Sequence, residues 1–208
     1  MEHESILLHG PRVTLRDFRA DDVDAVHAFT SDPVVTQWST WGPNTWADTA
    51  SFVADAAAEP AAPERTRFTL AVLFQNRLVG TAAVWTTSPS DRNGELGYTL
   101  AHDVWGQGLA TEAAALLLGH AFGPMGLVRV EATCHPENAG SVRVLEKNGF
   151  AFEGRLREHR LVRGKRRDSL LFAALLSDRE LSGRDLWDRE LSDPSADKLA
   201  AGSPASLP

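Results

Sequence analysis

Cysteine, tyrosine, positive charge and long apolar runs are all scarce in this chain of 208 residues. Its single cysteine, Cys134, can form neither an internal disulfide nor a cysteine metal cluster. One unpaired cysteine is typical of a protein in a reducing cytoplasm. We therefore expect no redox chemistry and no metal cofactor.

Acidic residues outnumber basic ones, and the net charge is -7. This balance provides no electrostatic basis for binding nucleic acid or anionic lipid. No stretch approaches the roughly 20 apolar residues that span a bilayer, and the apolar run 6–8 is too short for the core of a signal peptide. We expect a cytoplasmic protein whose partners include neither nucleic acid nor membrane.

One stretch departs from the acidic average, because it holds seven basic residues within 155–167. They are Arg155, Arg157, Arg160, Arg163, Lys165, Arg166 and Arg167. Such a stretch is typical of a solvated hairpin. It also fits a landing surface for an anionic substrate or for the outer phosphate of a cofactor.

Strand-like and helix-like periods alternate along the chain, which predicts an α/β (α+β) fold with helices covering a sheet. The predicted elements are a strand at 12–16, a helix at 20–30, a helical segment within 31–63, strands at 67–74, 78–86 and 95–100, a helix at 111–122, a strand at 128–134, a helix within 135–150, and a hairpin of 153–161 with 169–176. The helical segment is rich in aromatic residues, and we expect it to form part of a substrate wall.

Residues 1–176 are predicted to form one domain, and the composition changes beyond them. We expect 177–193 to form a C-terminal helix, packed by Leu181, Leu186, Trp187 and Leu191. The stretch 194–208 is rich in Pro, Ala and Ser, which predicts a disordered tail.

The segment WGQGLATEA, residues 105–113, joins a predicted strand to a predicted helix. Gly106 and Gly108 allow successive backbone N–H groups to turn toward one point, and the helix N-terminus adds its dipole. Thr111 offers a hydroxyl in the first turn. The pattern is typical of an anion site, although two glycines before a helix also occur in simple turns. Its spacing matches neither a P-loop nor the GxGxxG motif.

Further motifs accompany this segment in a fixed order: ELGY at 95–98, HPENAGS at 135–141, VLEKNGF at 144–150 and RGKRRDSLLFAALL at 163–176. Together, over about 11–176, they resemble the GNAT superfamily of N-acetyltransferases, and more narrowly its RimJ/RimL branch, which acetylates protein N-termini and small amines. The resemblance implies a mixed, mostly antiparallel twisted sheet whose central strands 95–100 and 128–134 part into a V. It also implies acetyl-coenzyme A as cosubstrate.

The resemblance places the coenzyme pyrophosphate on 105–110, where the family carries a six-position glycine motif. Gly108 and Ala110 match that motif, while Trp105 replaces its usual first residue, as is common in the RimJ/RimL branch. Backbone groups near Leu100 are expected to pair with the pantetheine arm. The expected coenzyme contacts are Leu100, Trp105, Gly106, Gln107, Gly108, Leu109, Ala110, Thr111, Asn138 and Ser141.

The proton donor to the departing thiolate is the first catalytic group to assign. Many relatives use a tyrosine seven residues after the position of Asn138, but that position is Leu145 here. Tyr98 is the only tyrosine of the chain, so the branch pattern points to the Ser141 hydroxyl. Asn138 and Ser141 are equally at home as capping residues of a helix, and the sequence leaves that alternative open.

The base that takes the proton of the amine is the second catalytic group. Glu95 on a central strand is the preferred carboxylate, and His135 is a weaker alternative. A surface strand residue without a catalytic role is an equally good interpretation of Glu95. Direct attack on the thioester is favoured over an acyl-enzyme, because Cys134 precedes Pro136 closely and lacks an evident base partner.

The acceptor is predicted to be a primary amine in a ternary complex, most simply the α-amine of a protein or peptide N-terminus. That group has a pKa near 8 and is about a tenth neutral at pH 7. The alternatives are a small-molecule amine or antibiotic, and a non-catalytic module that senses acetyl-coenzyme A. An exposed strand edge in this fold is also compatible with a homodimer.

Overall fold

The computed structural model describes residues 5–182, with side chains through Arg179. Within that range the elements are β1 (Leu7–His9), β2 (Val13–Asp17), α1 (Val23–Thr30), α2 (Pro33–Thr36), α3 (Trp46–Ala58), β3 (Arg67–Phe74), β4 (Arg77–Ser88), β5 (Asn93–Leu100), α4 (Leu109–Phe122), β6 (Arg129–Cys134), α5 (Ala139–Lys147), β7 (Ala151–Val162), β8 (Lys165–Leu175) and α6 (Leu176–Ser182). None of the described helices is long and apolar enough to cross a membrane.

All eight described strands form one sheet, in the order β1-β2-β3-β4-β5-β6-β8-β7. Every neighbouring pair is antiparallel except β5 and β6, which are parallel. This confirms the predicted mixed, mostly antiparallel α/β fold.

The two central strands stay together for only three residue pairs. Their register runs from Asn93 opposite Arg129 to Glu95 opposite Glu131 and then stops. Beyond that point β5 pairs only with β4 in the sheet, and β6 only with β8. The sheet therefore opens into the V that the resemblance implied.

The strand period of two gives the sheet two distinct faces near this opening. Phe68, Val84 and Leu96 are register partners on one face, where Phe68 meets His120 of α4 with ring centroids 4.5 Å apart. Arg67 and Glu95 alternate onto the other face. Helix α4 thus covers one face and leaves the opposite face to α1, α3 and the loop that precedes α3.

A buried carboxylate anchors the first turn of α4 to the start of β2. Oε1 of Glu112 accepts hydrogen bonds from the backbone nitrogens of Arg12, at 2.6 Å, and Val13, at 2.8 Å. Its Oε2 accepts one from Nε of Arg12 at 3.0 Å. The same guanidinium donates from Nη1 to the carbonyl of Gln107 at 2.9 Å, so it also holds the loop before α4.

The structure corrects three details of the sequence interpretation. Strand β1 was not predicted; it pairs with β2 and forms one edge of the sheet. The turn of the last hairpin is only Arg163-Gly164, not 162–168, because both residues adopt the positive φ that a tight two-residue turn requires. Helix α4 begins at Leu109, two residues before the predicted start.

The predicted C-terminal helix is described only at its beginning, since α6 starts at Leu176 and the description ends at Ser182. The side chain of Leu181 and all of Leu186, Trp187 and Leu191 lie outside the described residues. The helix 177–193, the tail 194–208 and the domain boundary at 176 stay predictions, as does the homodimer.

Candidate active site

A cleft of about 1360 Å³ lies where β5 and β6 part. It is lined by residues from both faces of β5, including Glu95 on one face and Tyr98 on the other. The cleft therefore passes through the sheet. One end lies against the first turns of α4 and α5, and the other against β3, β7, β8 and the loop before α3.

The first end of the cleft carries the glycine loop. Gly106 and Gly108 have φ of 73° and 81°, which L side chains rarely adopt. A Cβ built on Gly106 would meet no atom within 4 Å, so this loop borders open space. Gly108 is the N-cap of α4 and supplies no side-chain cap.

Backbone donors at the start of α4 face this space without acceptors. No described residue accepts a hydrogen bond from the N–H groups of Leu109, Ala110 or Thr111. Together with the helix dipole, three such donors form a site for an anion. The residues present therefore fit a phosphate group.

Nine of the ten predicted coenzyme contacts line the cleft, as does Glu95. The exception is Gln107, whose side-chain nitrogen donates instead to the carbonyl of Asp103 at 3.4 Å. Leu100 lines the cleft, but its carbonyl already accepts a hydrogen bond from Nε1 of Trp105 at 2.8 Å. The tryptophan thus ties the glycine loop to the end of β5.

Helix α5 presents Asn138 and Ser141 to the same end of the cleft. Oδ1 of Asn138 caps the helix by accepting from the backbone nitrogen of Ser141 at 3.1 Å. No described residue accepts from the Asn138 amide nitrogen, which remains able to donate. Capping and ligand contact are therefore compatible in this one residue.

Tyr98 is the group that the sequence analysis missed at this site. Its hydroxyl lies 3.0 Å from the hydroxyl of Ser141, and burial raises its pKa well above the ordinary value. The alternation of β5 places Tyr98 on the face opposite Glu95. That alternation was available from the sequence, but the meeting with α5 was not.

Cys134 lies beside this pair of hydroxyls. Burial raises the pKa of its thiol to about 11, although a hydrogen bond with Ser141 opposes the shift. The thiol therefore stays protonated at neutral pH and is a poor nucleophile.

Glu95 lies at the opposite end of the cleft, on the far face of β5. Burial raises the pKa of its carboxyl, and the negative charge of Glu131 raises it further. The positive charges of Arg160 and Arg67 act in the opposite direction, but the pKa remains above its ordinary value. No described residue forms a hydrogen bond or an ion pair within 4 Å with this carboxylate. A partly buried carboxyl that has no partner of its own can accept a proton, so the geometry is compatible with a base.

Aromatic residues wall this end, as the sequence analysis expected of 31–63. Trp38, Trp41 and Phe52 line the cleft together with Trp85 of β4. Trp38 stacks on His135 with ring centroids 4.7 Å apart. Nδ1 of His135 also accepts from the backbone nitrogen of Glu137 at 3.2 Å, which favours a structural role for this histidine.

The tip of the β7–β8 hairpin holds the loop before α3 in place. Nη2 of Arg163 donates to three backbone carbonyls, those of Gly42 at 2.6 Å, Trp41 at 3.3 Å and Thr36 at 3.4 Å. Of the seven basic residues within 155–167, only Arg160 and Arg167 line the cleft.

Among the described residues, no group of three His, Cys, Asp or Glu side chains could hold a metal ion.

Comparison with known proteins gives consistent matches. The model of the acetyltransferase (GNAT) domain matches residues 12–151. The chain is 31% identical over 180 residues to the uncharacterized N-acetyltransferase p20 of Bacillus licheniformis, covering 85% of this chain and 98% of that protein. It is 27% identical over 105 residues to the ribosomal-protein-serine acetyltransferase of Escherichia coli, covering 50% of this chain and 59% of that protein.

A solved structure agrees over nearly the whole described chain. Mycobacterium smegmatis RimJ in complex with CoA-disulfide superposes with a TM-score of 0.71 at 28% identity, covering 86% of this chain and 94% of the other.

The raised pKa of Glu95 predicts a pH-dependent effect of Glu95→Gln on stability. The folded carboxyl holds its proton more tightly than the unfolded one, whose pKa is about 4.3. Stability is therefore lost as pH rises from that value through the folded pKa. Glu95→Gln removes this loss, so it should increase the free energy of unfolding at pH 7 and leave it nearly unchanged below about pH 4.

Urea unfolding between pH 4 and pH 8 measures the effect. The control is Glu146→Gln, an exposed carboxyl on α5, which should change the free energy of unfolding by at most about 0.5 kcal/mol throughout. An effect of Glu95→Gln on the free energy of unfolding that is independent of pH would contradict the raised pKa of Glu95.

Proposed function

Because this chain belongs to the GNAT acetyltransferase family and is an acetyl-coenzyme A-dependent N-acetyltransferase, we propose that its acceptor is the α-amine of a protein or peptide N-terminus. The observation that carries the proposal is Glu95, a half-buried carboxylate that lines the cleft without a hydrogen-bonded partner. One such base suits an amine of moderate pKa. The relative named ribosomal-protein-serine acetyltransferase adds support for a protein acceptor.

Acetyl-coenzyme A supplies an acetyl group activated as a thioester. We assign the pyrophosphate to the glycine loop and the free N–H groups at the start of α4, residues 106–111. Arg143 and Lys147 of α5 also line the cleft and supply cations for the outer phosphate. Beyond Glu95 and Glu131, β5 and β6 no longer pair with each other. Their facing edges therefore provide backbone groups for the pantetheine arm.

The amine end of the reaction rests on Glu95. An α-amine with a pKa near 8 is about a tenth neutral at pH 7, so a carboxylate that takes its proton, directly or through water, is sufficient. A lysine side chain, with a pKa near 10.4, would demand a stronger base. This difference favours N-termini over lysines.

The thiol end of the reaction rests on Ser141, whose hydroxyl donates to the departing thiolate. Tyr98, whose hydroxyl lies 3.0 Å away, holds that hydroxyl in position. The protonated thiol of Cys134 supplies no nucleophile, which leaves direct attack of the amine in a ternary complex.

A small-molecule amine is the second candidate acceptor. The observation that favours it is the wall formed by Trp38, Trp41 and Trp85, since flat aromatic surfaces also enclose ligands of drug size.

An amine panel tests the acceptor. Acetyl-coenzyme A is supplied with peptides that contain an internal lysine and carry either a free or a blocked N-terminus, and with small primary amines and aminoglycosides. We expect a mass gain of one acetyl group on the free N-terminus and none on the blocked peptide. Acetylation of small amines alone would support the second candidate, and acetylation of the blocked peptide would indicate lysine as the acceptor.

Ser141→Ala should lower kcat about a hundred- to ten-thousandfold, the range of one acid catalyst, with little change in coenzyme affinity. The backbone nitrogen that bonds to Asn138 is retained in this variant. Tyr98→Phe, which keeps Ser141, should lower kcat less. Steady-state kinetics and calorimetric titration with coenzyme A measure the two effects; an unchanged kcat in Ser141→Ala would remove Ser141 from the mechanism.

Gly108→Ala should weaken coenzyme A binding by about tenfold or more, because the added Cβ disfavours the left-handed conformation that aims the N–H groups of α4. Gly126→Ala is the matched control. Gly126 also has positive φ, at 63°, but does not line the cleft. Equal affinities of the two variants would undo the pyrophosphate assignment.

A further inference from the structure

Building on the proposed function, we infer that Arg160 and Arg167 form an anion subsite that binds a carboxylate carried by the acceptor close to its reactive amine. The preferred acceptor is then an N-terminus followed closely by an acidic residue.

The two arginines are direct neighbours across the last hairpin. Arg160 of β7 is the register partner of Arg167 of β8, and both line the cleft. Like charges directly opposite each other on paired strands repel and destabilise the pair. A ligand of opposite charge, bound between them, removes this repulsion.

Neither guanidinium forms an ion pair within 4 Å with a carboxylate of the described chain. No described residue forms a hydrogen bond or an ion pair within 4 Å with Arg160. Among residues 5–182, Arg167 donates only to the carbonyl of Gln37, at 3.3 Å. The adjacent Asp168 is already engaged, because it accepts from Nε of Arg155 at 2.7 Å and from the backbone nitrogen of Glu158 at 2.8 Å.

The position of the pair assigns it to the acceptor and not to the coenzyme. Arg167 bonds to the loop before α3, and the charge of Arg160 acts on Glu95. Both contacts lie at the end of the cleft opposite the glycine loop. Glu95 on the amine and the arginine pair on a carboxylate together match an acceptor that carries both charges.

Paired peptides test the inference. Peptides that begin Ser-Asp or Ser-Ser-Asp are compared with the isosteric Ser-Asn and Ser-Ser-Asn peptides. The wild-type protein should acetylate the acidic peptide with a kcat/KM about tenfold higher, as expected for one charge-assisted contact. The preference should fall as salt is added, because the site is partly exposed.

Arg160→Gln should reduce the ratio of kcat/KM for the acidic peptide to kcat/KM for the amide peptide to about twofold or less, and Arg160→Lys should restore part of that ratio. Arg157→Gln, an exposed arginine of the same strand that does not line the cleft, should keep the full preference. Coenzyme A and dephospho-coenzyme A should bind Arg160→Gln as they bind the wild-type protein.

The outcomes separate this inference from the proposed function. Equal turnover of acidic and amide peptides by the wild-type protein would overturn the anion subsite and leave the N-terminal acceptor intact. If Arg160→Gln weakens the binding of coenzyme A but not that of dephospho-coenzyme A, Arg160 contacts the outer phosphate of the coenzyme, and the anion subsite for the acceptor is overturned. If only small amines are acetylated, the peptide acceptor is overturned. The subsite is still supported in that case if γ-aminobutyrate is preferred over its amide and Arg160→Gln removes the preference.

Discussion

The parting of β5 from β6 after Glu95 and Glu131 is the constraint on which the whole site depends. Parallel strands share a ladder of hydrogen bonds, and ending that ladder after three pairs leaves polar edges facing each other across a gap. The chain beyond the far end of β5 leads into α4, and the chain beyond β6 leads into α5. Both first turns therefore converge on the gap, with their free N–H groups and capping side chains directed to one cleft.

The loop at that cleft is held from behind by groups that never reach it. Glu112 is buried beneath the first turn of α4 and binds the start of β2, and Arg12 extends the contact to the carbonyl of Gln107. From the other side, the indole of Trp105 binds the end of β5. These contacts fix the glycine conformations before any ligand arrives, so the N–H donors need little reordering to accept an anion.

Structural and functional interpretations of a residue turn out to be compatible in this molecule. Asn138 caps α5 with its amide oxygen and keeps its amide nitrogen free, while Ser141 continues the first turn with its backbone and meets Tyr98 with its hydroxyl. The basic residues within 155–167 also divide between structural contacts and the cleft. Arg155 and Arg163 hold the hairpin and its neighbouring loop, whereas Arg160 and Arg167 turn into the cleft.

The sequence by itself determined the strands and helices that have regular periods, the glycine loop and the cap at Asn138, because these depend on residues close together along the chain. It missed β1, whose three residues gain meaning only from pairing with β2, and it overestimated the last turn. Only the tertiary structure decided that Tyr98 meets Ser141, that the Gln107 side chain does not line the cleft, and which two arginines of the stretch 155–167 line it. Those facts depend on contacts between elements far apart in sequence, which local periodicity does not encode.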